Sequence, residues 1–530
     1  MMKKRHLFTI LIGILLVYYA LFIYRSSFVI EGKRYFVLFD DEMISMRYAK
    51  NFADGYGLVW NKGERVEGIT NLLWTFYMSL FHIIKIPLSK TSLFIQVTGL
   101  IFLILSVVMV NKITYLITGS KKVSLTAMVL TGFYYPIVYW SLEGTEVSVL
   151  MFLTSLSVYY TLKGLTKHEL TYAPLWILGF STLIRMDMFV LYLGFWVFIL
   201  WIFKNHKIKI FFVGFIIISS FIGGQTLFRL LYYGDILPNT YYLKMTGFPM
   251  LLRITRGVYV FIKFIWNSNI LLFFAGFLVF VKRRTKEILL LLVLFLFQSL
   301  YSIYVGGDAW EQFGGSNRFL SVVMPCYFIL FSISLSYVHQ KLLDFNLSWP
   351  LSKLINFKNL ILFSLIIFNS TIGPEVLVEV TLIFPPRYKN YNKNWTEIGT
   401  SIDRVTTKNA KIAVVLAGTM PYFSDRYYID LLGKNDKYIA HLKAKAPKDL
   451  PLPIAFYPGH MKYDYQYSID KLKPDVITDA WGNKKEALRL IKQNHYIKQK
   501  LNKKYWLWFL KGSKNILWDK INYPLLNNID

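Results

Sequence analysis

Apolar runs bounded by charged residues recur through the first 373 residues of the chain. Most of them approach the length of about 20 residues that an α-helix needs to cross a bilayer. The pattern predicts a polytopic α-helical membrane protein with about eleven transmembrane helices, and 172–203 can alternatively form one broken span. The predicted spans are 7–24, 91–117, 123–139, 146–163, 172–184, 187–203, 208–232, 268–282, 287–305, 318–340 and 357–373.

One further apolar stretch, 70–86, allows two interpretations. As a span, it would move Lys112, Lys121 and Lys122 to the outside and invert the later loops. As an amphipathic helix along the membrane surface, it leaves at least two basic residues in every inside connection. The positive-inside rule therefore favours the interfacial helix and a cytoplasmic N-terminus.

The predicted topology collects acidic residues on the outer face. The outside segments are 25–90, 140–145, 185–187, 233–267, 306–317 and everything after 373. The acids on or near this face are Asp40, Asp41, Glu42, Glu143, Glu146, Asp187, Asp235 and Asp308. Because acidic residues contribute little to topology, this asymmetry is the main functional clue.

The two ends of the chain differ in character. MMKKRH precedes the first apolar run and no small-x-small cleavage site follows it, which predicts an uncleaved signal anchor. After residue 373 polar residues and turn signals return, and about 150 residues suffice for a small domain. The segments 411–418 and 474–482 are typical of strands, and 481–495 of a helix. The predicted domains are a transmembrane module, 1–373, with a large first extracytoplasmic loop, 25–90, and an extracytoplasmic soluble α/β-type domain, 374–530.

Composition agrees with this architecture. Hydrophobic residues make up 55% of the 530 residues and aromatic residues 18%, as in polytopic membrane proteins. The net charge of +29 sits largely in short clusters between apolar runs, where it orients helices, so no nucleic-acid partner is predicted. The single cysteine, Cys326, excludes an intrachain disulfide and a cysteine metal cluster.

Three consecutive acids open the stretch FDDEMISMRYAKNFADGYGLVWN, residues 39–61. An apolar stripe predicts a short helix from near Asp41 to near Gly55, with Arg47, Lys50 and Asp54 off the stripe. The stripe residues are Ile44, Tyr48 and Phe52. Acids in a first turn can simply cap the helix and complement its dipole. One acid suffices for that, so the adjacent pair predicts a catalytic role for Asp40 or Asp41.

Three cations fall near the same predicted face. Arg185 lies with Asp187 in LIRMDMF, Lys244 in YYGDILPNTYYLKM, and Arg318 at the end of the glycine-rich GDAWEQFGGSNRFL. Arginine offers a phosphate two hydrogen bonds and lysine offers a point charge. The alternatives are that Arg185 marks a tight turn and that Arg318 reaches towards headgroups. We predict that these three cations bind a donor phosphate.

Carboxylates and cations beside a bilayer suit one reaction, the transfer of a sugar from a polyprenyl phosphate to a hydroxyl. A carboxylate removes the hydroxyl proton as general base, and cations stabilise the charge on the departing lipid phosphate. The predicted partners are the polyprenyl-phosphate sugar, a glycan or glycolipid acceptor, and membrane lipid.

Blocks along the whole chain resemble the GT-C superfamily of membrane glycosyltransferases, in particular the bacterial branch that includes the mycobacterial terminal arabinofuranosyltransferase. The block at 40–75 is the most specific, and the others are individually weak. The blocks are 40–75, LEGTE (142–146), RMD (185–187), YYGDILPNTYYLK (232–244), GGDAWEQFGGSNRFL (306–320), GTMPYFSDRYYIDLLGKND (418–436) and YPGHMKYDY (457–465). The resemblance implies a GT-C fold and a transferase acting outside the bacterial cytoplasmic membrane.

The resemblance also implies residue roles. Asp40 matches the position of the catalytic base, and Asp41 matches its neighbour, which orients the acceptor or binds a cation. The third acid, Glu42, leaves open which carboxylates are paired. The positions expected to bind substrate are Glu146, Tyr241, Tyr242, Asp308, His460 and Asp464. A glycan acceptor can stack on Tyr463 and bond Asp464, although a plain polar turn explains that segment as well.

Two other functions stay open at this point. A flippase or transporter of lipid-linked sugars would show a midplane site and inverted repeats, and the sequence contains no repeat. A polysaccharide polymerase or ligase with a diphosphate-linked donor shares the topology and differs in its leaving group. The sequence does not fix the sugar, the acceptor or the oligomeric state. The sequence identifies no certain cofactor and does not decide whether a divalent metal helps. Two adjacent acids can hold such a cation, for which oxygen ligands alone are weak evidence.

Overall fold

A computed structural model describes residues 2–311, 318–344, 356–370, 374–445, 450–502 and 504–521. The described chain is mostly helical and divides into two compact units. The first unit comprises Met1–Arg25, Ile95–Gln225 and Arg253–Arg387, and the second comprises Ser26–Phe94, Thr226–Leu252 and Tyr388–Asp530. Each unit is described separately below.

Long apolar helices dominate the first unit. Five described helices are long and apolar enough to cross a membrane, as expected of a multi-pass membrane protein. They are His6–Ser26, Leu88–Thr118, Val147–Lys167, Lys204–Tyr233 and Lys286–Val305. The shorter helices along this part of the chain are Ala173–Ile184, Met186–Met188, Phe189–Ile202, Arg318–Ser321, Met324–Asp344, Phe357–Ser370 and Pro374–Val380.

Two bent helix pairs raise the candidate spans to seven, so eleven spans are not confirmed. Lys121–Phe133 and Tyr135–Leu142 meet at 53°, and Pro136 in the first turn of the second helix lacks an N–H donor. Met250–Asn267 and the segment Ile270–Lys282 meet at 91°. The predicted outside segment 233–267 thus contains the helix Met250–Asn267, and its outside location stays a prediction. The last residues of the predicted span 357–373 lie outside the described residues.

The 91° break has a local cause. Asn269 has a φ of 61°, and its side chain accepts hydrogen bonds from the amides of Leu271 and Leu272. A residue with positive φ ends one helix, and an Asn side chain that accepts amide hydrogens starts the next. The second helix is itself divided into Ile270–Ala275 and Leu278–Lys282.

The second unit combines the first outer loop with the C-terminal segment. A hairpin of β1 (Phe28–Ile30) and β2 (Lys33–Tyr35) precedes helices Asp40–Ala53 and Leu72–Ile83. Helix Leu72–Ile83 confirms a helix within 70–86, and its location at a membrane surface stays a prediction. The other helical segments of this unit are Asn239–Met245, Tyr388–Val405, Thr419–Tyr422, Lys437–Ala440, Leu452–Ala455, Gln466–Lys471, Lys484–Gln493 and Trp518–Lys520.

A mixed five-stranded sheet organises the C-terminal part of the second unit. Its strands are β3 (Lys411–Val414), β4 (Tyr427–Asp430), β5 (Val476–Ile477), β6 (Tyr496–Leu501) and β7 (Tyr505–Leu510), in the order β4-β3-β5-β7-β6. β3 runs parallel to β4 and β5, and β7 runs antiparallel to β5 and β6. The strands predicted within 411–418 and 474–482, and the helix predicted within 481–495, are confirmed but shorter.

One apolar core joins the first loop to this sheet. Tyr48 and Ile44 of helix Asp40–Ala53 are buried in the same cluster as Ile402 and Val414. Burial of apolar side chains from both segments stabilises them together. The residues that follow the first predicted span therefore fold with residues more than 300 positions later. The predicted boundary between 1–373 and 374–530 stays a prediction.

Candidate active site

Asp40 begins helix Asp40–Ala53, directly after the buried residues Leu38 and Phe39. Its side chain is buried, and its carboxylate accepts hydrogen bonds from the backbone amides of Gly418, at 3.2 Å, and Thr419, at 2.8 Å. These amides follow β3. A Cβ on Gly418 would lie 1.8 Å from the carbonyl oxygen of Asp40, so this close approach requires glycine. The two amides fix the orientation of the carboxylate.

The expected capping role of the acids differs from what the structure shows for Asp40. The N-cap residue of this helix is Phe39, which provides no side-chain hydrogen bond. The carboxylate of Asp40 is bound by the 418–419 loop rather than by amides of its own helix. Its negative charge still complements the helix dipole. The position of Asp40 is thus set by a distant loop.

Burial raises the pKa of Asp40 from 3.8 to about 6, because the anion is taken out of water. The hydrogen bond from Thr419 opposes this shift, the charge of Asp41 adds to it, and the charge of Lys434 opposes it. A carboxyl group with this pKa is mostly ionised at neutral pH and more basic than an exposed aspartate. It therefore suits a general base.

Asp41 points to a different partner. Its Oδ1 lies 3.1 Å from Nζ of Lys434, and both side chains are partly exposed. Lys434 belongs to the loop after β4, so the ion pair adds a second connection between the first loop and the C-terminal segment. Asp40 and Asp41 are called the acidic pair below. Asp41 is the more accessible member and suits contact with a substrate.

Glu42 does not share the role of the acidic pair. It is buried, and its Oε2 accepts a hydrogen bond from Nδ2 of Asn71 at 3.0 Å. Oδ1 of Asn71 accepts hydrogen bonds from Ser45 at 2.9 Å and from Thr75 at 3.1 Å. Glu42 therefore belongs to the contact between helices Asp40–Ala53 and Leu72–Ile83. Which carboxylates act as the catalytic pair stays a prediction, and this contact of Glu42 favours Asp40 and Asp41.

Lys244 and His460 lie in the same unit as the acidic pair. A Cβ on Gly459 would meet Cε of Lys244 at 3.1 Å, so the lysine stem runs along the backbone beside His460. Burial lowers the pKa of His460 to about 4, and the charges of Asp41, Lys244 and Lys434 also act on it. The imidazole is therefore neutral at physiological pH, with Nδ1 3.0 Å from the carbonyl oxygen of Pro458.

The remaining expected substrate residues of this unit have structural partners. The ring of Tyr242 stacks on His441 with centroids 4.3 Å apart, while Tyr241 is 36% exposed. Asp464 accepts hydrogen bonds from the hydroxyl of Tyr438, at 3.0 Å, and from the amide of Tyr467, at 3.1 Å. A substrate role for Tyr241, Tyr242 and Asp464 stays a prediction.

Tyr463 is not available for stacking, contrary to expectation. Its side chain is buried, its hydroxyl accepts a hydrogen bond from the amide of Asn483, and Nζ of Lys445 lies over its ring. An acceptor sugar needs an exposed ring face. Tyr463 instead supports the backbone turn that follows Trp481.

The first unit contains the other expected residues in two ion-pair groups. Arg185 lies 3.1 Å from Glu146, and its Nε donates to Oδ1 of Asp187 at 3.0 Å. Nε of Arg318 lies 3.0 Å from Oδ2 of Asp308. Each arginine is thus matched by carboxylates, and a phosphate has to compete with them. Of the three predicted phosphate cations, Arg185 and Arg318 belong to the first unit and Lys244 to the second.

Sequence reasoning missed the residues that hold the acidic pair in the second unit, which are Gly418, Thr419 and Lys434. In the first unit it missed Arg256, which donates to the carbonyl oxygen of Asp308 at 3.2 Å. The first three lie inside the block 418–436 that carried the resemblance, but no local pattern assigns them to Asp40. Among the described residues, no group of three or more His, Cys, Asp or Glu side chains is placed to hold a metal. A divalent cation stays a prediction.

Comparisons with known proteins identify the fold. ArnT from Cupriavidus metallidurans, solved with bound undecaprenyl phosphate, matches with a TM-score of 0.51 at 9% identity over 80% of this chain and 86% of that one. The Archaeoglobus fulgidus oligosaccharyltransferase matches with a TM-score of 0.51 at 10% identity over 96% of this chain and 75% of that one. Both belong to the GT-C superfamily, so the GT-C fold is confirmed. At this identity the likeness concerns the fold alone.

Comparisons of the sequence, unlike those of the structure, do not indicate a function. Residues 386–514 match a family model described as a domain of unknown function, DUF8728. No curated protein matches the sequence. The expected membership of the mycobacterial arabinofuranosyltransferase branch is not confirmed and stays a prediction.

Proposed function

We propose that this chain is an inverting membrane glycosyltransferase with Asp40 as its general base. It transfers a sugar from a polyprenyl-phosphate donor to a hydroxyl of a glycan or glycolipid at the outer face of the cytoplasmic membrane. The observation that carries this proposal is a buried carboxylate, oriented by two backbone amides, next to the more accessible Asp41. The GT-C fold and the undecaprenyl phosphate bound to ArnT support the same donor class.

The reaction follows from these groups. The acceptor hydroxyl gives its proton to Asp40 as its oxygen forms a bond to the anomeric carbon of the donor. The bond from that carbon to the phosphate oxygen breaks, and the lipid phosphate leaves with the bonding electrons. Displacement from the face opposite the phosphate inverts the anomeric configuration. Cations neutralise the departing phosphate, and Lys244, in the unit that contains Asp40, is proposed as one of them. The phosphate-binding roles of Arg185 and Arg318 stay predictions.

The test of this function is a choice between two donor chemistries. Purified protein receives matched lipid-linked sugars that carry either one or two phosphates, together with envelope glycan as acceptor. We expect turnover of the monophosphate donor with release of polyprenyl phosphate, measured by mass spectrometry of the extracted lipids. Consumption of the diphosphate donor alone would assign the chain to the polymerases or ligases. Movement of intact lipid-linked sugar without cleavage would identify a flippase.

The pH profile gives a second expectation. Because burial raises the pKa of Asp40 to about 6, kcat/KM should be constant above about pH 7 and fall about tenfold per pH unit below 6. The base must be ionised in the free enzyme, so activity is lost on the acid side. Initial rates measured from about pH 4.5 to about pH 8 locate the midpoint of this fall in kcat/KM.

The control for this profile uses two lysines. The charge of Lys434 lowers the pKa of Asp40, so Lys434→Met should move the acid midpoint upward. Lys437 is half-exposed and pairs with Asp235 at 2.7 Å, so Lys437→Met should leave the midpoint unchanged. A midpoint near 4 in the unmodified protein, typical of an exposed aspartate, would contradict Asp40 as the base.

A further inference from the structure

An exposed indole in the second unit is held in one position. Trp481 is 37% exposed, yet its Nε1 donates to the carbonyl oxygen of His460 at 3.1 Å. The fully buried Tyr465 fixes its backbone, since the Tyr465 hydroxyl accepts from the Trp481 amide at 2.8 Å and donates to its carbonyl. Most exposed side chains keep their rotamer freedom. This one is fixed at both its backbone and its ring, so it is already organised for binding.

Two further rings extend this surface. Tyr457 lies nearly parallel to Trp481, with centroids 5.9 Å apart and an interplanar angle of 17°. The imidazole of His460 lies 4.5 Å from Tyr457 and 5.2 Å from Trp481. Tyr457, His460 and Trp481 are called the aromatic shelf. Gly482 follows the shelf with a φ of 66°, and a Cβ there would lie 2.7 Å from the ring of Tyr463.

The aromatic shelf adjoins charged groups of the candidate site. Lys244 runs along Gly459, the residue before His460. The pKa of His460 responds, after burial, to the charges of Asp41, Lys244 and Lys434. Lys244 therefore lies at the edge of the shelf, and the charges of Asp41 and Lys434 act on its histidine. A neutral histidine adds a polar group without adding charge.

Tyr388 packs beside the acidic pair, and its hydroxyl is electrostatically coupled to that of Tyr457. Its ring packs on Phe39, the residue before Asp40, with centroids 4.7 Å apart. Burial raises the pKa of Tyr388, and the charges of Asp40 and Asp41 and then the hydroxyl of Tyr457 raise it further. Its ring therefore lies beside the start of the helix that carries the acidic pair. All of these residues belong to the second unit.

This combination matches the chemistry of a sugar ring. One face of a sugar presents C–H groups, which pack against aromatic faces, and its edge presents hydroxyls, which need hydrogen-bonding and charged partners. Resting on the function proposed above, we propose that the aromatic shelf binds the acceptor sugar and presents its attacking hydroxyl to the acidic pair. The shelf lies in the unit that contains the base, whereas Arg185 and Arg318 lie in the other unit.

The kinetic test uses the purified full chain and substitutions at Trp481. The donor is the extracted polyprenyl-phosphate sugar pool, and the acceptor is a set of oligosaccharides released from the envelope of cells lacking the gene. Trp481→Ala should raise the acceptor KM about tenfold or more, since a lost stacking contact weakens binding by that order. The donor KM should stay within about twofold, and Trp481→Phe should restore most of the lost affinity.

The matched control is another exposed tryptophan of the same unit. Trp506 in β7 is 40% exposed, and Trp506→Ala should leave both KM values unchanged. An unchanged acceptor KM in Trp481→Ala, or a raised donor KM instead, would overturn the proposal. In either case normal turnover by the unmodified protein would leave the proposed transferase function standing.

A binding measurement separates the shelf from catalysis. The protein is labelled with 5-fluorotryptophan, and the resonance of Trp481 is identified by its loss in Trp481→Phe. Addition of the same oligosaccharides should shift this resonance and leave that of Trp506 in place, in Asp40→Asn as well as in the unmodified chain. Absence of a shift at saturating oligosaccharide would exclude the shelf as the acceptor site, whatever the transferase assay shows.

Discussion

Asp40→Asn is expected to reduce sugar transfer by about 10²–10⁴-fold while the protein remains folded. Asparagine has the size of aspartate, and its side-chain oxygen can still accept the hydrogen bond that Thr419 donates at 2.8 Å. It cannot take a proton from the acceptor hydroxyl, so the chemical step loses its base. The measurement is the release of polyprenyl phosphate from the donor in single-turnover assays.

The control for Asp40→Asn is an aspartate outside the site. Asp425 is half-exposed and pairs with Lys62 at 2.9 Å, so Asp425→Asn should retain full activity. Surface ion pairs of this kind contribute about 0–1 kcal/mol. Both variants should be recovered in the membrane at unmodified levels and unfold at similar temperatures. Transfer by Asp40→Asn at more than about a tenth of the normal rate would assign the base elsewhere.

The sequence predicted the helix that carries Asp40 nearly to its ends, because its signals are local. Apolar spacing and glycines at its end describe 40–53 without reference to the rest of the chain. The groups that orient the acidic pair lie 378 to 393 positions away. Such long-range pairing leaves no periodic signal in one sequence. The resemblance predicts a role for Asp40, which stays a prediction, but it does not predict the geometry of its carboxylate.

The apolar stripe of the same helix was predicted only in part. Ile44 and Tyr48 are buried, as expected, but Phe52 is 37% exposed. Arg47, placed off the stripe by its polarity, is 6% exposed. A charged residue can be buried only where other parts of the fold supply its hydrogen-bond partners. Here those partners come largely from the C-terminal segment, which periodicity within the helix cannot reveal.

The predicted count of eleven spans is not confirmed, and a related limit of sequence patterns applies to it. Hydropathy gives the length of an apolar run but not whether the helix continues through it. Residues 172–203 form separate helices, Ala173–Ile184 and Phe189–Ile202, on either side of Arg185. Arg185 has an extended backbone conformation, with φ of −145° and ψ of 123°, which interrupts the helical hydrogen bonds. Both helices are shorter than about 20 residues, and two spans and one broken span both stay predictions for 172–203.

Arg47→Met is expected to lower the stability of the second unit by about 3 kcal/mol or more. Arg47 is buried, and its guanidinium donates to the carbonyl oxygens of Trp60 at 2.7 Å and Arg426 at 2.8 Å, and also to that of Pro421. Cζ of Arg47 also lies over two aromatic rings, 5.1 Å from the ring centroid of Trp60 and 4.9 Å from that of Tyr428. Burial lowers the pKa of Arg47 only to about 10, so it stays charged at neutral pH.

Methionine fills much of the same volume but leaves these buried carbonyl groups without donors. Each unpaired buried group costs about 1–3 kcal/mol. For a unit of this size, the total corresponds to a fall in Tm of about 10 °C. Arg47→Lys should recover only a small part of this loss, because an ammonium group cannot reach carbonyls on several sides as a guanidinium does. The measurement is thermal unfolding of the detergent-solubilised protein.

Arg404→Met is the matched control, since Arg404 is exposed and pairs with Glu31 at the surface, with 2.6 Å between the charged groups. Its removal should cost less than about 1 kcal/mol. Equal Tm values for Arg47→Met and Arg404→Met would show that the buried guanidinium does not hold the helix to the 421–426 segment. Because Asp40 begins this helix and its amide partners lie just before that segment, Arg47→Met should also lose transfer activity at temperatures below its Tm. Full activity there would mean that the geometry of Asp40 is set by the 418–419 loop alone.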